Sequence, residues 1–165
     1  MRSVADFYQD CIAAVDQQPP LDVQLADAVS CVLAEDVRAP FNLPVADLAA
    51  CDGYAVRASD CSRAALDAPV TLPVTEEIRA GVVDPAALVP GTAIRIASGA
   101  PVPAGADAVV ALEFTDHGVA QVVLRTSPAG GENIRRRAED VAQGDTVLRA
   151  GTRIGARQMA LLAGV

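Results

Sequence analysis

Residues 93–125 read AIRIASGAPVPAGADAVVALEFTDHGVAQVVLR, and their punctuation decides the fold class. Three apolar runs, Ala93 to Ile96, Ala108 to Phe114 and Val119 to Arg125, have the length and β-branched content of strands. Between the first two lies a loop of small residues with Pro101, Pro103 and Gly105, a composition that breaks helices. Between the last two, Asp116-His117-Gly118 predicts a hairpin turn. Working outward, Val70 to Ile78 is another strand, and Val147 to Ile154 is a further candidate with a bulge or turn at Ala150-Gly151. The middle of the chain is therefore β-rich.

The two ends read differently. Val4, Phe7, Tyr8, Cys11, Ile12 and Val15 recur at helical spacing, which predicts a helix over 4–15. Ser3 caps it, with Asp6 three residues on as in a capping box, and Pro19-Pro20 prevents continuation. Met1 to Val15 is amphipathic and carries Asp6 and Asp10, so it is not read as a signal peptide. Gln24 to Val32 suggests a second short helix leading into an extended Leu33 to Arg38, and Pro40 and Pro44 bracket an irregular connection. Ala156 to Ala163 turns helical again just before Val165, as if more chain should follow. The expected class is α+β, mostly β: an elongated two-part chain with helices at both ends and an inserted β-rich domain. Residues 46–139 would form that inserted domain, and 1–45 with 140–165 a discontinuous N-terminal domain.

Composition narrows the chemistry. Net charge is −8, which repels nucleic-acid backbones and anionic membranes, so neither is an expected partner. No apolar run reaches the roughly 18 residues needed to span a bilayer. All 13 basic side chains are arginine, which excludes a Schiff-base lysine and a phosphate-loop lysine within this chain. His117 alone cannot build a multi-histidine metal site, while hard cations bound through carboxylates remain open. Cys11, Cys31, Cys51 and Cys61 form no C-x-x-C pair and read as small hydrophobes in a reduced, cytoplasmic protein.

Three motifs carry candidate chemistry. In Cys51-Asp52-Gly53-Tyr54-Ala55-Val56, an Asp-Gly pair precedes an apolar run. Its plain reading is a turn, with Asp52 bonding nearby amides and Gly53 supplying a positive φ; its functional reading is a loop carboxylate that meets a metal or substrate. In Ile96 to Asp107, loop amides and the Ser98 hydroxyl can hold an oxyanion, whereas the plain reading is a rigid proline connector. Gly131-Glu132-Asn133-Ile134-Arg135-Arg136-Arg137-Ala138-Glu139-Asp140 sets consecutive arginines in an acidic chain. Guanidinium suits phosphate or molybdate. Alternation along an extended segment stops all of these arginines from serving one site, and ion pairing with Glu132, Glu139 or Asp140 claims at least one.

Together, Asp52 to Val56, Gly91 to Thr115 and Gly131 to Thr152 resemble successive blocks of the bacterial molybdopterin molybdenumtransferase family, whose eukaryotic relative is the gephyrin E domain. The resemblance runs from about Leu25 onward. It implies insertion of molybdate into adenylylated molybdopterin with release of AMP, a divalent cation that is usually Mg2+, an elongated homodimer, and partners among the molybdopterin pathway proteins. By resemblance, Asp52 and Ser98 are catalytic, with Asp52 also the metal ligand, and Arg135 and Asp140 bind substrate. It also implies that helix 4–15 packs on a cofactor-binding domain expected after Val165, so that the fragment alone is inactive. Ala49-Ala50-Cys51 stands where relatives commonly show Ser-Ala-Met, Leu48 where a polar residue is common, and Ala138 where Gly is usual. Cys51 is read as a small packed residue rather than a molybdenum ligand. The competing reading is a non-catalytic dimerising scaffold that docks a cofactor or partner protein, favoured by the hydroxyl missing at Ala49. An anion- or sugar-binding β module would rest on Arg135 to Arg137 alone.

Overall fold

The computed structural model describes residues 2–16 and 18–165, so Met1 of the amphipathic N-terminal reading lies outside the described residues. The chain divides into two compact units, one of residues 1–37 and 146–165 and one of 38–145. The changes of unit thus fall at 37/38 and 145/146, where the sequence placed them at 45/46 and 139/140.

In the first unit, helix α1 (Val4–Ala13) begins at Ser3, whose hydroxyl accepts from the Asp6 N–H while Asp6 accepts from the Ser3 N–H. The reciprocal cap satisfies backbone donors that the first turn would otherwise leave open. The helix stops at Ala13, two residues short of Val15. Val4, Phe7, Tyr8 and Ile12 are all exposed on it. The helix expected over Gln24 to Val32 is a single 3-10 turn, Leu25–Asp27. Ser30 adopts a left-handed φ of 69°, which an α-helix cannot propagate through. The Leu33 N–H then donates to the Thr152 carbonyl, and the Gly151 N–H to that of Leu33. Strand β1 (Val37–Arg38) pairs with β9 (Thr146–Leu148), and α2 (Ala156–Gly164) follows. Ala28 and Ile154 are the buried hydrophobic side chains of this unit among the described residues.

The second unit holds the main core. Strands β3 (Gly53–Val56), β4 (Val70–Ile78), β5 (Ala93–Ile96), β6 (Ala108–Ala111) and β7 (Gln121–Leu124) form one sheet in the order β6-β3-β5-β4-β7. The pairs are antiparallel except β4 with β5, which is parallel and slips register between Val74 and Glu76. The run Ala108 to Phe114 is strand only to Ala111 and then makes a 3-10 turn, Leu112–Phe114. In consequence β6 and β7 are not a hairpin but the two edges of the sheet. Thr115, just past that turn, forms a single bridge to Leu124 of β7, and side chains from both edge strands meet in one apolar cluster, so the sheet is curled. The turn predicted at Asp116-His117-Gly118 is present: His117 has φ 59°, and Asp116 Oδ1 accepts from Gly118 N–H at 3.1 Å and Val123 N–H at 2.9 Å.

Curling explains the burial. Tyr54, Val56, Leu72, Ala93, Ala108, Val110, Val122 and Leu124, from all five strands, pack into one apolar cluster. Ala55, Ile78, Ile94, Ile96 and Val109 form a second on the opposite face, covered by Ala49, Leu88 and Ala100. Each fully buried aliphatic contributes about 1.5–3 kcal/mol of transfer free energy. Tyr54 is wholly buried, and its hydroxyl donates to the Gly118 carbonyl at 2.9 Å, fastening the turn to the core. Two short strands, β2 (Leu48–Ala49) and β8 (Ile134–Arg135), pair antiparallel beside the main sheet.

Candidate functional site

Asp52 stands immediately before β3, with its side chain exposed. Position 53 must be glycine because of space, not φ: a Cβ there would lie 2.1 Å from the Val110 carbonyl oxygen. Gly53 is not among the positive-φ glycines, which corrects the sequence reading. This close approach of β3 to β6 sets where Asp52 leaves the sheet, and the Leu112 N–H donates to its carbonyl at 3.2 Å.

Asp52 and Ser98 are brought together. The Ser98 N–H donates to Asp52 Oδ1 at 2.7 Å, and the Ser98 hydroxyl to the Ala50 carbonyl at 3.4 Å. Asp52 therefore bonds a nearby amide, as its turn reading expects, although the amide belongs to another loop. Its carboxylate also lines a recess of about 140 Å³ with Gly53, Glu77, Arg95, Ile96, Ala97 and Leu112. Glu77 and Arg95 escaped the sequence reading. The signal that could have found Arg95 is a lone charge inside the apolar run Ala93 to Ile96.

Arg135 and Asp140 are brought together too, at 2.5 Å between Nη2 and Oδ2, and neither lines the Asp52 recess. The pair raises the Arg135 pKa through the Asp140 hydrogen bond and charge. Arg136 reaches Asp47, with Nη1 2.7 Å from Oδ2, and the Arg137 backbone N–H donates to Asp47 Oδ1 at 2.8 Å. That backbone bond, followed by the Arg136 contacts, holds the Asp47 carboxyl below its usual range despite partial burial. Asp47 was not foreseen as a partner, being 89 residues from Arg136 in sequence. The pairing strand lies between the two sites: Leu48 stands opposite Arg135 on one side and bridges Pro101 on the other.

Ala49 is 1% exposed and packs in the second apolar cluster, with its N–H donating to the Ala100 carbonyl and its carbonyl accepting from the Gly99 N–H. The missing hydroxyl therefore changes the core rather than the lining of the recess. Cys51 is half-buried and packed against that cluster, and burial pushes its thiol pKa up. A raised pKa opposes the thiolate that metal ligation requires. Among the described residues no cluster of three or more His, Cys, Asp or Glu side chains is placed to hold a metal.

The family model for the MoeA N-terminal region (domain I and II) matches residues 2–165. The chain belongs to this family. It is 46% identical over 151 residues to molybdopterin molybdenumtransferase 2 of Mycobacterium tuberculosis, covering 92% of this chain and 37% of that protein. Molybdopterin molybdenumtransferase 1 of the same organism is 40% identical over 181 residues, covering 100% of this chain and 42% of its own. The crystal structure of the molybdopterin biosynthesis moeA protein from Pyrococcus horikoshii OT3 superposes with a TM-score of 0.81 at 39% identity, covering 86% of this chain and 38% of that one. The mostly β architecture with two helices matches that of this family's N-terminal region. The chain spans well under half the length of these relatives.

Proposed function

We propose that this chain is the N-terminal part of an enzyme that inserts molybdate into adenylylated molybdopterin and releases AMP. The observation that carries the reading is the contact of Asp52 with the Ser98 loop at the mouth of a recess, in a chain 46% identical to a named molybdenumtransferase. Asp52 Oδ1 is engaged by the Ser98 amide, which orients the carboxylate while leaving its second oxygen for a ligand. The Ser98 hydroxyl is exposed and held only by a long bond to Ala50, so it can turn toward an oxyanion. Arg135 and Asp140 form a second polar pair that binds another part of the substrate.

The donor set suits magnesium. Mg2+ takes one or two carboxylates, completing its octahedron with water and substrate phosphate, and Asp52 and Glu77 on one recess are two such carboxylates. When bound there, the ion would supply charge stabilisation to phosphate or molybdate oxygens. A half-site of this kind needs the rest of the protein, so the fragment alone is proposed to be inactive. The first unit supports a homodimer and a covering domain: α1 exposes its apolar stripe, and Val37 and Leu148 are only half-buried. Among the described residues no helix is long and apolar enough to cross a membrane. A cytoplasmic location and pathway-protein partners belong to the same proposal.

The test is Asp52→Asn in the full-length protein. Asn keeps an acceptor for the Ser98 N–H, so folding should be nearly unchanged, while molybdate insertion should fall about 100-fold or more. A wild-type insertion rate across a magnesium titration would end the catalytic assignment and leave Asp52 as a loop clasp.

A further inference from the structure

Arg95 sits at the centre of the curled sheet, on β5 between β3 and β4, opposite Tyr54 on one side and Glu77 on the other. Directly paired residues project to the same face, so Arg95, Tyr54 and Glu77 share the face that the sheet curls around. Ala93 and Tyr54 carry that face into the apolar cluster, and at Arg95 it opens into the recess that Asp52 lines. The arginine is half-buried.

Its guanidinium is unmatched. Arg2, Arg57, Arg79, Arg135 and Arg136 each pair with a carboxylate, and Arg38 and Arg125 donate to carbonyls. Among the described residues Arg95 has neither an ion pair nor a side-chain hydrogen bond. Both carboxylates on its recess already have other partners: Asp52 Oδ1 takes the Ser98 N–H at 2.7 Å, and Glu77 Oε1 lies 3.5 Å from Arg79 Nε. Its donors are reached by solvent rather than sealed in the core, so the guanidinium is free to meet an acceptor that enters the recess. The recess beside it, about 140 Å³, exceeds the ~30 Å³ share of one water severalfold.

We infer that Arg95 is an oxyanion-binding residue of the Asp52 recess, gripping a tetrahedral dianion, phosphate or molybdate, through the guanidinium fork. Arg rather than Lys suits this task because its planar donors match two oxygens at once. Ala97, whose N–H is taken by the Ile78 carbonyl at 3.0 Å, forms part of the recess wall, and the Ser98 hydroxyl follows it on the loop that leaves β5. Asp52 and Glu77 on the same recess would hold a hard cation, which would supply charge stabilisation to the oxyanion. The inference rests on the proposed function and adds a residue to it: the side chain that holds the anion while Asp52 serves the cation.

The experiment uses the full-length protein, deuterated, and amide TROSY NMR. Molybdate, inorganic phosphate and AMP are titrated separately, each with and without magnesium, into the wild type, Arg95→Gln, Arg95→Lys and Arg149→Ala. The expected result is saturable shifts at the Gly53 and Ala97 amides, weakened about tenfold or more in Arg95→Gln. Arg95→Lys should recover part of that loss, and Arg149→Ala, at an exposed arginine that lines no part of the recess, should bind as the wild type does. The amide spectrum itself reports whether each variant is folded, and Arg95→Lys keeps the charge should the glutamine variant not fold. Binding of molybdate alone assigns the recess to the metal oxyanion, and binding of phosphate and AMP assigns it to the phosphate ester; either supports the role of Arg95. Unchanged affinity in folded Arg95→Gln, or no saturable shift at Gly53 and Ala97 with any of the anions, overturns it. Loss of insertion in full-length Asp52→Asn beside normal anion binding by Arg95→Gln would remove this inference alone and leave the proposed function standing.

Discussion

Replacing Ala138 by glycine should stabilise this protein. Ala138 has φ 64°, in the left-handed region where its Cβ crowds the neighbouring carbonyl. The conformation is enforced from both sides: the Ala138 N–H donates to the Pro44 carbonyl at 3.0 Å, and the Asp140 and Val141 N–H groups both donate to that of Leu43, at 3.0 and 3.1 Å. The left-handed conformation costs an alanine about 1–2 kcal/mol. Glycine removes that cost but gives back about 0.5–1 kcal/mol through the greater freedom of the unfolded chain. All the backbone bonds survive the change, so the net gain should be about 0.5–1 kcal/mol, or about 1–4 °C in Tm for a chain of this size. Ala142→Gly is the control. Ala142 is not among the left-handed residues, and its N–H donates to Asp145 Oδ2 at 3.0 Å. That variant should lose about 0.5–1 kcal/mol. Urea denaturation followed by circular dichroism measures both. If Ala138→Gly loses as much stability as Ala142→Gly, the strain assigned to Ala138 does not exist.

Gly53→Ala should act in the opposite direction, by about 3 kcal/mol or more, because the new methyl meets backbone at 2.1 Å and cannot swing aside; a loss below about 1 kcal/mol in the same assay would mean that β3 and β6 separate freely. Asp47→Asn should weaken stability at neutral pH and hardly at all in strong acid. The Asp47 carboxyl is depressed in the folded state, first by the Arg137 amide, so its contribution is present above the unfolded carboxylate pKa and lost as pH falls through the folded value. Melting temperatures of both proteins from about pH 6 to about pH 2 should converge, and a constant gap would show that the charge plays no part. Cys61 is buried, and burial with nearby carboxylates pushes its thiol up to about 11. At about pH 8 it should resist a thiol reagent until the chain unfolds, while exposed Cys11 and Cys31 react at once; mass mapping that finds Cys61 labelled in the native state would contradict the buried core.

Local chemistry was legible in the sequence wherever one residue sets its own geometry. Val70 to Ile78 and Ala93 to Ile96 are strands over the predicted residues, because alternation and β-branching act within the segment. Ser3 and Asp6 cap α1 for the same reason, since the partners sit three residues apart. The turn at Asp116-His117-Gly118 was equally local. The family could be read from the order of three motifs, each too weak alone.

What only the tertiary structure decided is everything that depends on residues far apart in the chain. Asp116 to Gly118 makes its turn, yet the strands beside it become opposite edges of a sheet, because β3, β5 and β4 stand between them. Gly53 looked like a conformational glycine and is a steric one, a fact visible only once Val110 is placed against it. Arg136 found Asp47 rather than a carboxylate of its own segment, since pairing of β2 with β8 sets Leu48 opposite Arg135 and so brings the adjoining Asp47 beside Arg136. Asp52 and Ser98 stood as separate candidates 46 residues apart until the Asp52 carboxylate took the Ser98 amide. Arg95 was hidden inside an apolar run, and its meaning lies in what surrounds it: pairing puts Tyr54 and Glu77 beside it, and curling of the sheet leaves it facing a recess. A hydrophobic pattern says which face of a strand is covered, but it is long-range hydrogen bonding that selects which strand covers it.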